Sequence, residues 1–324
     1  MSPGAKQTGI LGGILCVLVV MYFSGLLFSR PPQAPTIVPS FTASAVRAVQ
    51  TGSVELRPAA HGAWEVRIEG DWYPADGARI NKMLDFLSGL KASRTASRSK
   101  ADWGSFQVDS ASAAHLSVTG LKGNLVDLYV GETGADGGTF VRRAGAQEVY
   151  EVFGSLADYA DSSAGYWSYL KILPSSLSVD SLQTISISTH GFSVGGNTVN
   201  ASYLLASSVE NGTGRWVAQG KGGASLDQQK VLSLEAEILQ MVGDSFAAGV
   251  SLGDAGLESP TARIGVSDQQ GDTWSILVGK RYGAQFYVKR ADKPYIYLVN
   301  EWTLHRAIPA LGELEVNGGP AVQK

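Results

Sequence analysis

The sequence predicts an α+β protein: an N-terminal transmembrane helix followed by two tandem repeats, each a mainly antiparallel sheet with one packed helix. Three observations lead there. Gly9 to Phe28 form an uncharged apolar run of 20 residues. A tryptophan-led strand followed by an amphipathic helix occurs at Trp64 and again at Trp216. After each helix come short runs rich in β-branched and aromatic residues, separated by Gly and Asp, which is the pattern of antiparallel meanders.

The run GILGGILCVLVVMYFSGLLF spans about 30 Å as a helix, the thickness of a bilayer core. A cleaved signal peptide would have a shorter apolar region with a small-residue site close behind. Here the nearest Ala-x-Ala, Ala43-Ser44-Ala45, lies beyond a proline-rich stretch. The expectation is a single-pass anchor: residues 1–8 as a short cytoplasmic tail, and 9–28 in contact with membrane lipid. Cys16, inside the run, is the single cysteine, which excludes an intramolecular disulfide and a cysteine zinc site. Arg30 to Ser40 reads RPPQAPTIVPS, an extended and semi-rigid composition, and residues 29–59 are expected to be a linker.

The repeat is clearest in its helices. In the first copy Asp76 precedes Ile80, Met83, Leu87 and Leu90. In the second, Asp227 precedes Val231, Leu234, Ile238 and Met241. Both sets have the spacing i, i+3, i+7, i+10 of one apolar helix face. Each aspartate stands where an N-cap belongs. Glu235 replaces Leu84, so the second helix is expected to bury a narrower stripe. Downstream, Trp103 to Phe106 aligns with Ala255 to Glu258, and Leu128 to Gly131 with Ile276 to Gly279. Phe140 to Arg142 aligns with Phe286 to Val288, and Glu148 to Tyr150 with Tyr295 to Tyr297. The expected bounds are 60–156 for the first repeat, 157–211 for a connector, 212–308 for the second repeat and 309–324 for a flexible tail.

The order of these pieces is a Trp strand, a Tyr-Pro-Ala-Asp helix start, a Gly-Leu-x-x-Pro turn, Leu-x-Val-Gly, Phe-Val-Arg and Val-Tyr-x-Val. It resembles the uncharacterised domain family 4340. GLESP (Gly256 to Pro260) and TFVRRAGAQEVYEV (Thr139 to Val152) carry the likeness best, and it extends over most of residues 60 to 305. Copy one has GSFQV where copy two has the Gly-Leu-x-x-Pro turn. The resemblance implies a membrane-anchored protein of the bacterial inner membrane, with the bulk of the chain in the periplasm. Such proteins often accompany ABC transporters similar to the gliding-motility type. The resemblance transfers no catalytic residue.

Composition and motifs narrow the chemistry. A net charge of -3 argues against nucleic acid, which needs a concentrated basic footprint. His61, His115, His190 and His305 show no metal-ligand spacing, and no phosphate-binding loop is present. Neither a metal nor a cofactor is expected. Gly191 to Gly195 (GFSVG) fits the nucleophile-elbow pattern around Ser193, with His190 beside it and His305 downstream. An elbow needs strand, turn and helix, whereas the flanking runs read as two strands, so a hairpin loop is expected. GETGADGG (Gly131 to Gly138) reads as a hairpin loop, and KASRTASRSK (Lys91 to Lys100) as a solvated basic loop. Arg142, Arg143, Lys289 and Arg290 recur at strand ends in both copies and are the candidate partner- or ligand-binding residues, although cations also guard sheet edges.

The expected function is a non-catalytic accessory or scaffold subunit of an integral membrane complex, with an ABC transporter as host on the resemblance alone. The alternative is a binding module for an envelope polymer or lipid, which requires exposed aromatics beside Arg142 and Lys289. A serine hydrolase at Ser193 is the third reading.

Overall fold

Alternating burial sets the first elements. β1 (Val46–Thr51), β2 (Val54–Pro58), β3 (Trp64–Ile68) and β4 (Asp71–Ala75) form an antiparallel meander. Its register aligns Val49, Leu56, Val66 and Tyr73 in one buried row, as period-two side chains require. The computed structural model describes residues 15, 17–22, 34–154, 156–160, 162–210, 213–220 and 225–316. Backbone contacts group the chain into two units, Met1–Ala45 with Leu84–Asp161, and Val46–Met83 with Ser162–Lys324.

The linker expected over 29–59 is corrected. β1 and β2 lie inside it, and the chain is already anchored at Pro35. The Ile37 and Val38 N–H groups donate to the Leu90 carbonyl, and Ala92 N–H donates to Pro35 O. Ile37 and Val38 are buried, and full burial of such side chains contributes about 1.5–3 kcal/mol each, enough to hold a proline-rich segment down. Residues 15 and 17–22 are helical. The rest of the expected span 9–28, and the tail 1–8, lie outside the described residues. Among the described residues no helix is long and apolar enough to cross a membrane.

α1 (Gly77–Leu87) starts where Asp76 Oδ1 accepts the Arg79 N–H at 3.0 Å, and it buries Ile80, Met83, Leu84 and Leu87. In the first unit, β5 (Arg94–Ser97), β6 (Ala114–Gly120), β7 (Gly123–Thr133), β8 (Gly138–Arg143) and β9 (Val149–Phe153) run antiparallel in the order β6-β7-β8-β9-β5. Leu116, Val118, Leu128, Val130 and Val141 form their buried face. α2 (Leu156–Ala160) follows.

In the second unit the chain runs through α3 (Ala164–Trp167), β10 (Leu182–Thr189), the hairpin β11 (Ser193–Val194) and β12 (Asn197–Thr198), β13 (Ser202–Glu210) and β14 (Thr213–Ala218). Then come α4 (Gln228–Leu239), β15 (Ser245–Phe246), β16 (Ala262–Asp268), β17 (Thr273–Tyr282), β18 (Gln285–Arg290) and β19 (Tyr297–Asn300). The order β14-β13-β10-β16-β17-β18-β19-β15 makes one eight-stranded sheet. Its two halves match strands of the first copy: β10-β13-β14 match β1-β2-β3, and β16-β17-β18-β19-β15 match β6-β7-β8-β9-β5, while β4 has no counterpart among the described strands of this sheet. The repeat is therefore longer than its helix-centred bounds, and the segment expected as connector, 157–211, supplies two sheet strands. α5 (Glu301–Ala307) and α6 (Leu311–Leu314) close the chain. Glu315 bridges to Leu226, so residues 309–316 are packed, in contrast to the expected flexible tail; residues 317–324 lie outside the described residues.

One loop reveals the true alignment of the copies. In the first, N–H to C=O bonds join Phe106 to Asp102, Gln107 to Gly104 and Val108 to Trp103. In the second, Ala255 bonds to Ser251, Gly256 to Gly253 and Leu257 to Leu252. The pattern is identical three residues away from the sequence alignment: Phe106, not Trp103, matches Ala255. Gln107 holds φ +53° where Gly256 holds φ +69°, so GSFQV makes the same turn without its glycine. The loop lies directly on the next strand. A Cβ at Gly131 would collide with Phe106 O, and one at Gly279 with Ala255 O. This is why both copies carry Val-Gly there.

The narrower stripe expected for α4 is also corrected. Asp227 caps the helix, accepting from Gln229 and Lys230 N–H. Glu235 is buried like Leu84, at 1% exposure, beside Val231, Leu234 and Ile238. The same position points inward in both copies, and in the second it carries a carboxyl.

Candidate functional site

The four cations singled out by the repeat have different fates. Arg142 is 4% exposed. Its guanidinium carbon sits 3.8 Å from the Trp103 ring centre and 4.3 Å from that of Tyr129. Its Nε donates to Val108 O at 3.0 Å, and Nη1 to the carbonyls of Arg143 and Ala146. Arg290 is 8% exposed. It donates from Nη1 to Ile172 O at 2.9 Å and grips Asp292 with two bonds, of 2.7 and 3.1 Å. Both are internal braces, and neither is free to meet a partner. Lys289 is half-buried, bonded to the carbonyls of Arg290 and Ala291, and burial lowers its pKa. Arg143 alone of the four is exposed. Register explains the split. Val130 pairs with Val141, and Val278 with Val288, so Arg142 matches Lys289 and Arg143 matches Arg290. The two buried arginines therefore stand on opposite sheet faces. The exposed aromatic edge that the binding-module reading required beside Arg142 is instead a closed stack.

Arg143 and Arg290 each line a groove at the same place in their repeats. The first, about 370 Å³, is bounded by Ile37, Val38, Pro39, Asp127 and Arg143. The second, about 380 Å³, is bounded by Ile172, Leu173, Pro174, Arg290 and Lys293. Their backbone bonds correspond. Ile37 N–H donates to Leu90 O, and Ile172 N–H to Met241 O; Ala92 N–H donates to Pro35 O, and Gly243 N–H to Leu170 O. Thr36 bridges Lys91 as Lys171 bridges Val242. On the far wall, Ala146 N–H donates to Arg143 O, and Lys293 N–H to Arg290 O. Thr36 to Ser40 (TIVPS) and Lys171 to Ser175 (KILPS) are thus one repeated element. Reasoning from sequence missed it, although Ile-x-Pro-Ser occurs in both places.

The grooves have diverged. In the first, Gly145 occupies the position of Asp292, so Arg143 has no equivalent carboxylate and stays exposed. Asp127 opposes it, bonded to His115 Nε2 at 2.8 Å and Asn124 Nδ2 at 2.9 Å. In the second, Tyr169, Tyr295 and Tyr297 enter the wall, with Lys171 and Lys293 on the rim. Phe246 backs two of these rings, 5.9 Å from Tyr295 and 5.0 Å from Tyr297 between centroids. Burial pushes the Tyr297 hydroxyl up to about 12 and also raises Tyr295. Burial works against ionised Asp292, but the hydrogen bonds and charge of Arg290 outweigh it and hold the carboxyl below its ordinary range.

The other candidates do not assemble chemistry. Ser193 opens the β11–β12 hairpin and its Oγ donates to Asn197 O at 3.2 Å. Strand, turn and strand stand where an elbow has strand, turn and helix, so Ser193 does not sit on an elbow. Among the described residues no three His, Cys, Asp or Glu side chains are placed to hold a metal. GETGADGG closes the β7–β8 hairpin, with Gly134 N–H bonded to Gly138 O. Inside KASRTASRSK, Arg94–Ser97 is strand β5 and Arg94 pairs with Glu151.

No curated protein and no solved structure matches the chain. The model of a family described as a domain of unknown function, DUF4340, matches residues 64–208 and again 216–309. With well over half its length matched in two tandem segments, the chain belongs to the DUF4340 family.

Proposed function

We propose that this protein is a membrane-anchored, non-catalytic scaffold subunit of a larger membrane complex. Residues 9–28 are its single-span anchor, the repeats lie in the bacterial periplasm, and an ABC transporter is the proposed host. The observation that carries the reading is the bracing of residues 167–172 within the second unit. On one side Asp76 N–H donates to Trp167 O at 2.7 Å, and Tyr169 N–H to Pro74 O at 2.9 Å. On the other, Ile172, Lys171 and Leu170 bond to the turn after α4, and Arg290 clamps Ile172 O. These bonds fasten residues 167–172 as a fixed wall of the unit formed by Val46–Met83 and Ser162–Lys324. Such a wall suits a protein that holds a partner, and two like modules gain avidity when both engage.

A second reading, an envelope-polymer or lipid binding module, draws on the tyrosines and lysines of the second groove. In-cell cross-linking followed by capture of the full-length protein in mild detergent tests the scaffold reading. A stoichiometric integral-membrane partner, lost when residues 41–324 are deleted, supports it. Recovery of the protein alone at native expression counts against it.

A further inference from the structure

The second groove has the features of a site, and the first serves as its built-in comparison. Both share an Ile-x-Pro wall and an arginine at the end of the central hairpin. Only the second adds three tyrosines and two lysines. Asp292 is committed to Arg290, so among the described residues Lys171 and Lys293 leave that rim with a net positive charge. In the first groove Arg143 and Asp127 balance. The wall of the second groove is also rigid, because Arg290 ties β18 to Ile172 O.

We propose that this second groove docks an acidic peptide segment of the partner protein, with carboxylates on Lys171 and Lys293 and apolar side chains on Tyr169 and Tyr295. The proposal rests on the scaffold reading and names what that partner presents. Three features favour this ligand. The wall is aromatic, as interface anchors are, and the lysines give it a charge complementary to carboxylates. No Asp or Glu side chain lines the groove, so no lining carboxylate repels an acidic ligand. Its volume of about 380 Å³ is near the small end of the ~300–1,000 Å³ range of ligand pockets; it has room for a few side chains and not for paired acyl chains.

The test uses the full-length protein in neutral detergent and a fluorescein-labelled peptide built of Glu-Pro-Phe-Glu units. Fluorescence polarisation reports binding. The expected result is saturable binding that salt weakens and that the Lys-for-Glu peptide does not show. The double variant Lys171→Glu, Lys293→Glu should weaken it about tenfold or more. Tyr169→Ala should also weaken it, and Arg143→Glu, in the first groove, should leave it unchanged. The inference is overturned if the acidic peptide does not bind, or if the charge-reversed variant binds it equally. It is also overturned if soluble short-chain phosphatidylglycerol binds in place of the peptide. Failure of the scaffold reading is separately visible. If the double variant still captures the membrane partner in cells, the groove assignment falls and the scaffold stands; if the wild type captures none, the scaffold itself falls.

Discussion

Glu235 occupies a position that its sister helix fills with leucine, and replacing it should stabilise the protein in a pH-dependent way. Its Oε2 has no hydrogen-bond partner among the described residues. Burial raises the carboxyl pKa from 4.5 to about 7; nearby Asp180 pushes the same way, and a hydrogen bond from Trp216 offsets only part of the effect. The folded state therefore holds this proton more tightly than the unfolded chain. Stability is fully present below pH 4.5, falls as pH rises toward 7, and levels off above it. The gap corresponds to ~3 kcal/mol at ~1.4 kcal/mol per pH unit. Glu235→Gln removes the ionisation, and Glu235→Leu restores the packing seen at Leu84. Denaturant unfolding of wild type and both variants at pH 5 and pH 8 is the assay. The transition to follow is that of the unit containing α4, since two units need not unfold together. Both variants should gain roughly 3 kcal/mol over wild type at pH 8 and much less at pH 5. Equal wild-type stability at the two pH values, or the same pH slope in Glu235→Gln, would refute the reasoning.

Other substitutions test the remaining contacts. Arg142→Ala leaves Val108 O without its donor and opens the Trp103–Tyr129 stack, so thermal or chemical unfolding should show a loss of about 2–4 kcal/mol; Arg143→Ala should stay within ~0.5 kcal/mol. Gly131→Ala and Gly279→Ala each drive a methyl into a loop carbonyl, and each should cost at least ~2 kcal/mol by the same measurement. Gln107→Gly relieves a left-handed backbone and should stabilise by up to ~1 kcal/mol, whereas Gly256→Gln should destabilise because Lys280 Cγ lies 2.6 Å from the new Cβ. Asp227→Ala removes an N-cap worth about 1 kcal/mol, visible as a lower midpoint in urea.

Much of the architecture was legible because it rests on local rules. The helices α1 and α4 follow from 3.6-residue periodicity and their aspartate caps. β6 to β9 and β16 to β19 follow from β-branched runs between glycines. The hairpin at Ser193 follows from its paired glycines. Features that depend on tertiary contact were less visible. VRAVQT lies in a stretch that reads as linker, and the strand-like run LQTISIST lies in one that reads as connector, so pairing with distant neighbours and not local pattern places both in a repeat. Gln107 hid the loop correspondence, because the backbone there follows the hydrogen bonds and not the residue type. The arginines misled for a related reason. A cation at a strand end reads as exposed, yet Arg142 and Arg290 each find carbonyl acceptors supplied by segments far away in sequence, at Val108 and Ile172. Ile-x-Pro-Ser was readable twice, but its first copy sits in a proline-rich stretch that reads as linker.

The most direct measurement is photo-cross-linking in living cells, with a photoreactive amino acid at position 293 in the second groove and, separately, at position 143 in the first. The account predicts an adduct from 293 to an acidic segment of an integral membrane protein, and a weaker one or none from 143. An adduct to lipid alone, or no protein adduct from 293 at native expression, would contradict it.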